Sequence, residues 1–168
     1  MGEIEHELTA RDDSARASAW LPMLRGYLVW TVAAHLGWEI VQLPLYTIWV
    51  DETPGYIAFA VAHCTAGDVL IAGATLALAL VLAGRGAWPA EQFWPVVMLA
   101  TVFGAATTIY IEWLNTSVRL AWEYTEAMPV VPVLGTGLTP LAQWLVLPPL
   151  GLWLCRRRVL RSRNGRPE

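Results

Sequence analysis

Hydrophobic residues in this chain form four long stretches, separated by shorter segments that contain proline, glycine and charge. A membrane-spanning helix needs roughly 20 mostly apolar residues. The pattern therefore predicts an all-α polytopic membrane protein, a bundle of four transmembrane helices within residues 20–154. The predicted spans cover about residues 21–49, 56–82, 92–113 and 140–154, and the short fourth span is expected to continue past Cys155.

The composition supports this class. The chain is 56% hydrophobic with a mean hydropathy of +0.45, whereas an ordinary soluble domain has an apolar share of about 45–50%. Aromatic residues mark both predicted interfaces, with Trp144 assigned to the outer one. The long connector at residues 115–139 is predicted to cap the bundle, with a short interfacial helix at about residues 117–127.

Charge is concentrated in the two tails. Residues 1–19 carry five acids and two arginines, whereas residues 155–168 carry six arginines and one acid. If both termini lie in the cytoplasm, Arg119 is the one arginine of 11 on the outer side, as the positive-inside rule expects. The absence of lysine is typical of GC-rich bacterial genomes. These features predict a multi-pass protein of the bacterial cytoplasmic (inner) membrane, N-in and C-in.

The two charged tails are not predicted to form part of the functional site. The acidic segment 1–19 is predicted to be disordered. The arginine-rich segment 155–168 is predicted to fix the topology and to contact anionic lipid headgroups, and nucleic acid is not an expected partner.

Polar residues within the spans fall on single helix faces. At about 100° per residue, a stripe on the first helix contains Thr31, His35, Glu39, Gln42 and Tyr46. A stripe on the third helix contains Thr101, Ala105, Thr108, Glu112 and Asn115. Such stripes predict polar surfaces that face the bundle interior rather than lipid.

Ionisable residues also match in depth between the first two helices. Counting about 1.5 Å per residue from the outer boundary predicts an upper layer of Glu39 with His63 and a lower layer of His35 with Asp68. Ionisable groups inside a membrane are costly and usually functional, so these four are the candidate catalytic residues. The alternative is that they are satisfied pairs that hold the helices in register.

A polar cavity that opens toward the periplasm would have further ligand-binding residues nearer its mouth, beneath the long connector. These candidates are Gln42, Tyr46, Thr108, Glu112, Asn115, Trp122, Tyr124 and Gln143. Carboxylates that face histidines in a low-dielectric pocket suit acid–base chemistry on a lipid-soluble molecule.

Two resemblances bear on this interpretation. The segment HLGWE, with His35 and Glu39 four residues apart, resembles the emopamil-binding and sterol-isomerase group of membrane proteins. That resemblance implies that the two side chains line a sterol-accepting cavity and shuttle protons. The segments WEIVQLPLYTIW, HCTAGDVL, EWLNTSVRLAWEYTEAMP and GTGLTPLAQW resemble uncharacterised proteobacterial four-span inner-membrane proteins, which implies the fold and the location but no activity.

Two other functions remain open from the sequence. A single metal ion could be held by Glu39, His63 and either Glu112 or Asp68. Haem is not expected, because His35 and His63 differ in depth by on the order of 10 Å. A non-enzymatic assembly or transport subunit is the other alternative. The sequence leaves open the ligand, whether the protein is an enzyme, and its oligomeric state.

Overall fold

The computed structural model describes residues 2–85 and 88–164, and this part of the chain is helical, with β-pairing limited to isolated bridges. It contains the helices α1 (Gly2–Gln42), α2 (Ile48–Asp51), α3 (Pro54–Ala83), α4 (Phe93–Trp113) and α5 (Leu138–Asn164). Three helical segments are long and apolar enough to cross a membrane: Pro54–Ala83, Phe93–Val118 and Leu138–Ser162. The chain therefore has the character of an integral membrane protein.

The long helices pack in neighbouring pairs. Helices α1 and α4 each pack against both α3 and α5. The apolar part of α1 is interrupted by Arg25, His35 and Glu39, which lowers its hydropathy relative to the other three helices.

Two tight contacts fix the position of α5. The Trp144 ring lies where a side chain at Gly104 of α4 would have to be, and the Trp30 ring lies in the same way against Gly151. The Trp30 indole also donates a hydrogen bond to the Leu147 carbonyl oxygen, at 3.0 Å. Glycine is required at these two positions because only a hydrogen atom fits beneath each indole.

One end of the molecule, here called the basic end, joins the helices through aromatic and arginine contacts. Trp20 and Trp88 meet edge to face, with ring centroids 5.0 Å apart. The Arg156 guanidinium donates to the carbonyl oxygens of Pro89, at 2.9 Å, and Ala90, at 3.1 Å. The opposite end, here called the cavity end, is formed by residues 43–53 and 114–137.

The ends of α1 differ from the prediction. The helix begins at Gly2, so the predicted disordered tail is helical from that residue onward. The helix ends at Gln42 rather than near residue 49, because Pro44 lacks an N–H and the chain turns through a 3-10 segment, Leu43–Leu45, before α2. Helix α5 continues past Cys155 to Asn164, as predicted, and the last four residues of the arginine-rich tail lie outside the described residues.

The predicted interfacial helix at residues 117–127 does not form. A π-helical turn, Leu114–Val118, is followed by irregular backbone. The Thr47 N–H donates to the Glu123 carbonyl, and the Thr125 N–H donates to the Leu45 carbonyl, each at 3.0 Å. These long-range bonds use backbone groups that a local helix would need, so the connector is pinned against the segment that follows α1.

Candidate functional site

Four polar side chains from three helices meet in the interior, and we call them the buried cluster: His35 and Glu39 of α1, Asp68 of α3 and Gln143 of α5. The Gln143 Nε2 atom lies 2.9 Å from His35 Nδ1, 2.9 Å from Asp68 Oδ2 and 3.3 Å from Glu39 Oε1. His35 Nδ1 is also 3.1 Å from Asp68 Oδ2. Gln143 is therefore the centre of the cluster.

The cluster is compatible with two positions of the histidine proton. With the proton on Nε2, the His35 Nδ1 atom accepts a hydrogen bond from Gln143. With the proton on Nδ1, it is donated to Asp68, and the two N–H groups of Gln143 serve the two carboxylates. The same atoms therefore support either tautomer of His35 without a large movement.

Other side chains hold the cluster in place. His35 is 1% exposed, and its ring packs edge-on against Trp144, with centroids 5.3 Å apart. Gln42 donates to Glu39 Oε1 at 2.9 Å and accepts from the Trp38 indole at 3.2 Å. The Glu39 carboxylate is therefore held by two amides.

A cavity of about 630 Å³ lies directly beside the cluster, on the side of the cavity end. Its polar floor is formed by Glu39, Asp68 and Gln143, whereas His35 lies behind Asp68 and Gln143 and does not line it. Most of the remaining wall is aromatic or aliphatic. Six further residues predicted as ligand-binding from the sequence also line the cavity: Gln42, Tyr46, Thr108, Glu112, Asn115 and Trp122.

Tyr124 ties the connector to the cavity wall. Its hydroxyl donates to Glu112 Oε2 and accepts from the Gly137 N–H at 3.0 Å. The Tyr46 ring packs edge-on against Tyr124 and Trp122. Burial, followed by the hydrogen bond to Glu112 and the negative charge of that carboxylate, raises the pKa of Tyr124 above its usual value of 10.0. The hydroxyl is therefore protonated and able to donate at neutral pH.

This geometry predicts an alkaline transition in the connector. Because folding raises the pKa of Tyr124, its contribution to stability is present below pH 10 and is lost as the pH rises further. Hydrogen exchange of residues 119–137, measured by mass spectrometry, should therefore stay slow up to about pH 10 and accelerate above it, after correction for the intrinsic exchange rate. In Tyr124→Phe, the same peptide should already exchange faster than in the wild type at neutral pH. Tyr110→Phe, at an exposed position on α4, is the matched control, and an equal effect of the two variants would contradict the assigned role.

The two predicted layers have different outcomes. The lower pair of His35 and Asp68 is confirmed. The upper pair of Glu39 and His63 is wrong, because Glu39 is hydrogen-bonded to two glutamines while His63 is exposed and stacks on Phe59, with centroids 5.5 Å apart. His63 nevertheless lines the cavity, at its opening.

A metal site built on Glu39, His63 and Glu112 is not assembled. Among the side chains that the structure describes, no three His, Cys, Asp or Glu residues are arranged to hold a metal ion. Glu39 and Glu112 are instead hydrogen-bonded to glutamine and tyrosine side chains.

Two features of the site differ from the sequence interpretation. Gln143, predicted near the mouth, lies at the centre of the cluster. Trp144, assigned to the outer interface, is 1% exposed and packs between Gly104 and His35. The sequence does contain one signal for this contact, because a bulky tryptophan must face a small residue on its neighbouring helix, but it does not identify which glycine.

Comparison with protein-family models, with curated proteins and with solved structures found no significant match to this chain. Function is therefore inferred from the cavity and its polar residues.

Proposed function

We propose that this chain is a multi-pass protein of the bacterial cytoplasmic membrane that binds a small lipid-soluble molecule and supplies acid–base groups to its polar end. The observation that carries the proposal is the cavity of about 630 Å³, mostly apolar, which ends on Glu39, Asp68 and Gln143. Ligand sites typically have volumes of about 300–1,000 Å³, with apolar walls and a few convergent polar groups. The cavity has both properties.

We include α1 as a fourth span. Its inner face carries the polar stripe, but its outer face is apolar and exposed at Val29, Ile40 and Val41. An exposed aliphatic face on a long helix is what contact with lipid requires. The polar residues of α1 are compensated within the bundle, which supports a helix that spans the membrane despite its lower hydropathy.

We place the basic end in the cytoplasm. This end holds the α3–α4 connector, with Arg85, and the arginines of α5 from Arg156 onward, whereas Arg119 lies at the cavity end. The positive-inside rule favours this orientation. The cavity would then lie in the outer half of the membrane.

The opening of the cavity favours entry from the lipid phase. Phe59 is 62% exposed and His63 is exposed, although both line the cavity. His63 follows Tyr56 by seven residues, which places it about 10 Å deeper along the helix. An opening at that depth would face acyl chains rather than water, so we propose that the ligand enters sideways from the outer leaflet.

The polar groups at the floor of the cavity can also take part in proton transfer. His35 and Asp68 can exchange a proton, and Glu39 is a second carboxyl group within reach of the same amide. A ligand hydroxyl, amine or carbonyl at the floor would meet both donors and acceptors, which is what general acid–base catalysis needs. The metal-binding alternative lacks a ligand set among the described residues. An assembly or transport subunit is the outcome favoured if the cavity proves empty.

Native mass spectrometry of the protein, released from its own membranes in a mild detergent, tests the proposal. The wild type should carry an organic adduct of constant mass. Ala60→Trp, which fills the cavity, should reduce the bound fraction at least about tenfold, which requires an affinity loss of at least about 1.4 kcal/mol. Ala62→Trp, at an exposed position on the same helix outside the cavity lining, should retain the adduct. An adduct that survives Ala60→Trp, or a wild type that is empty after release from its own membranes, would contradict ligand binding in this cavity.

A further inference from the structure

Two buried polar atoms on α1, next to the cluster, have no hydrogen-bond partner among the described residues. They are His35 Nε2 and Thr31 Oγ1, in side chains that are 1% and 2% exposed. Buried polar groups in folded proteins are almost always paired with protein or with ordered water. Two such atoms on the same face of one helix therefore indicate a shared partner.

Thr31 differs from three other threonines of the bundle. The hydroxyls of Thr65, Thr75 and Thr107 donate to the backbone carbonyl four residues earlier, each at 2.8 Å. This is the common way to satisfy a threonine inside an apolar helix. The Thr31 hydroxyl makes no such bond. The Tyr27 hydroxyl lies beside it, and because a hydroxyl has one donor and two acceptor positions, Thr31 still has room for a water.

The positions of the two residues on α1 suit a single bridging water molecule. Residues 31 and 35 are one turn apart, about 6 Å along the helix axis, and lie on the same face. Side chains of a helix tilt toward its N-terminus, so the His35 ring extends toward Thr31. One water can make a hydrogen bond of about 2.8 Å to each of two polar side chains placed in this way.

We infer that Thr31 and His35 together bind one buried water molecule, and that this water holds the Nε2–H of His35 while Nδ1 exchanges a proton with Asp68. The site lies behind the cluster, outside the cavity lining. Its ligand is water, so its existence does not depend on which molecule the cavity binds.

The proton transfer balances without any other reactant. A protonated Asp68 gives its proton to His35 Nδ1, which breaks the carboxyl O–H bond and forms an N–H bond, leaving an imidazolium beside a carboxylate. The imidazolium keeps its Nε2 proton and donates it as a hydrogen bond to the water, which in turn donates to the Thr31 hydroxyl. The reverse transfer, from Nδ1 to Asp68, returns both groups to their first state. Tyr27, one turn beyond Thr31 and 5% exposed, places its hydroxyl close to the Thr31 hydroxyl.

The groups around His35 agree with this role. Asp68 of α3 and Gln143 of α5 occupy the Nδ1 side. Trp144 covers the ring, and Glu39 lies one turn farther along α1. None of these contacts is made by Nε2, which leaves this atom for the water.

Nitrogen NMR of the full chain in lipid bilayers tests the inference. The protein is labelled with ¹⁵N-histidine in a His6→Gln, His63→Gln background, so that His35 gives the only imidazole signals. We expect magnetisation from water protons to reach His35 Nε2. We expect Thr31→Val to slow this transfer severalfold and to shift the Nε2 resonance. Thr75→Val is the matched control, because its buried hydroxyl is already bonded to its own helix, and it should leave both values unchanged.

Two results would overturn the inference. One is the absence of any water contact at Nε2 in the parent protein, which decides the matter even if Thr31→Val does not fold. The other is a Thr31→Val protein with the parent's transfer rate and Nε2 shift. Either result would leave ligand binding in the cavity untouched, because that proposal is measured separately by mass spectrometry.

Discussion

Gly104→Ala is expected to destabilise the protein by about 3 kcal/mol, near the upper end of the usual cost of overpacking. The added methyl carbon would lie 2.1 Å from Cε3 of the Trp144 ring. The ring cannot move away easily, because it is 1% exposed and its neighbour is His35. The substitution should therefore separate α4 from α5 and disturb the buried cluster at the same time.

The unfolding free energy can be measured by SDS titration in mixed micelles, with tryptophan fluorescence as the readout. Gly73→Ala is the matched control, since nothing lies within 4 Å of its added carbon in the interior of α3. That variant should be neutral or stabilised by up to about 1 kcal/mol, because alanine is the better helix former. Equal behaviour of the two variants would contradict the packing of Trp144 against Gly104.

Gln143→Leu is expected to have the second large effect, a loss of about 3 kcal/mol. Its amide contacts His35, Asp68 and Glu39, and each buried polar group that loses its partner costs about 1–3 kcal/mol. Partial compensation by the remaining His35–Asp68 contact limits the total. The variant should also bind the cavity's ligand more weakly, because Gln143 forms part of the floor.

The same SDS titration measures this change. Ala106→Leu, at an exposed position on α4, should stay within about 0.5 kcal/mol of the wild type. Replacing His35 and Asp68 by leucine in the Gln143→Leu background should recover part of the loss, because the unpartnered groups are then removed. If Gln143→Leu is as stable as wild type, Gln143 is not the centre of the cluster.

The sequence predicted the elements of this site better than their arrangement. Counting residues inward from the outer boundary correctly paired His35 with Asp68. This works because the outer ends of two neighbouring antiparallel helices lie at the same depth, so residues on both can be compared by their distance from that boundary. It failed for His63, because depth does not determine which way a side chain points. The polar stripes on α1 and α4 were informative, since Gln42, Thr108 and Glu112 all line the cavity.

The features that sequence reasoning missed depend on contacts between distant segments. Gln143 reaches the centre of the cluster because the contacts of Trp30 with Gly151 and of Trp144 with Gly104 set the position of α5. No local sequence pattern encodes how α5 is aligned with its neighbouring helices. The connector forms no helix at residues 117–127 because Glu123 and Thr125 bond to the segment at residues 45–47. Pro44 indicated that α1 ends near residue 43. The stripe of polar residues, however, continued at helical spacing to Tyr46 and favoured a longer helix.

The most direct test of the account is photolabelling in lipid vesicles with a diazirine-bearing long-chain alcohol, followed by peptide mapping. The account predicts labelling of the α3 residues that line the cavity, such as Cys64 and Gly67, in wild type and Ala62→Trp, with a reduction of about tenfold in Ala60→Trp. An excess of unlabelled dodecanol should compete with the probe. Labelling confined to lipid-exposed residues such as Leu70, equal in all three proteins and insensitive to competition, would contradict a cavity that takes lipid-soluble molecules from the bilayer.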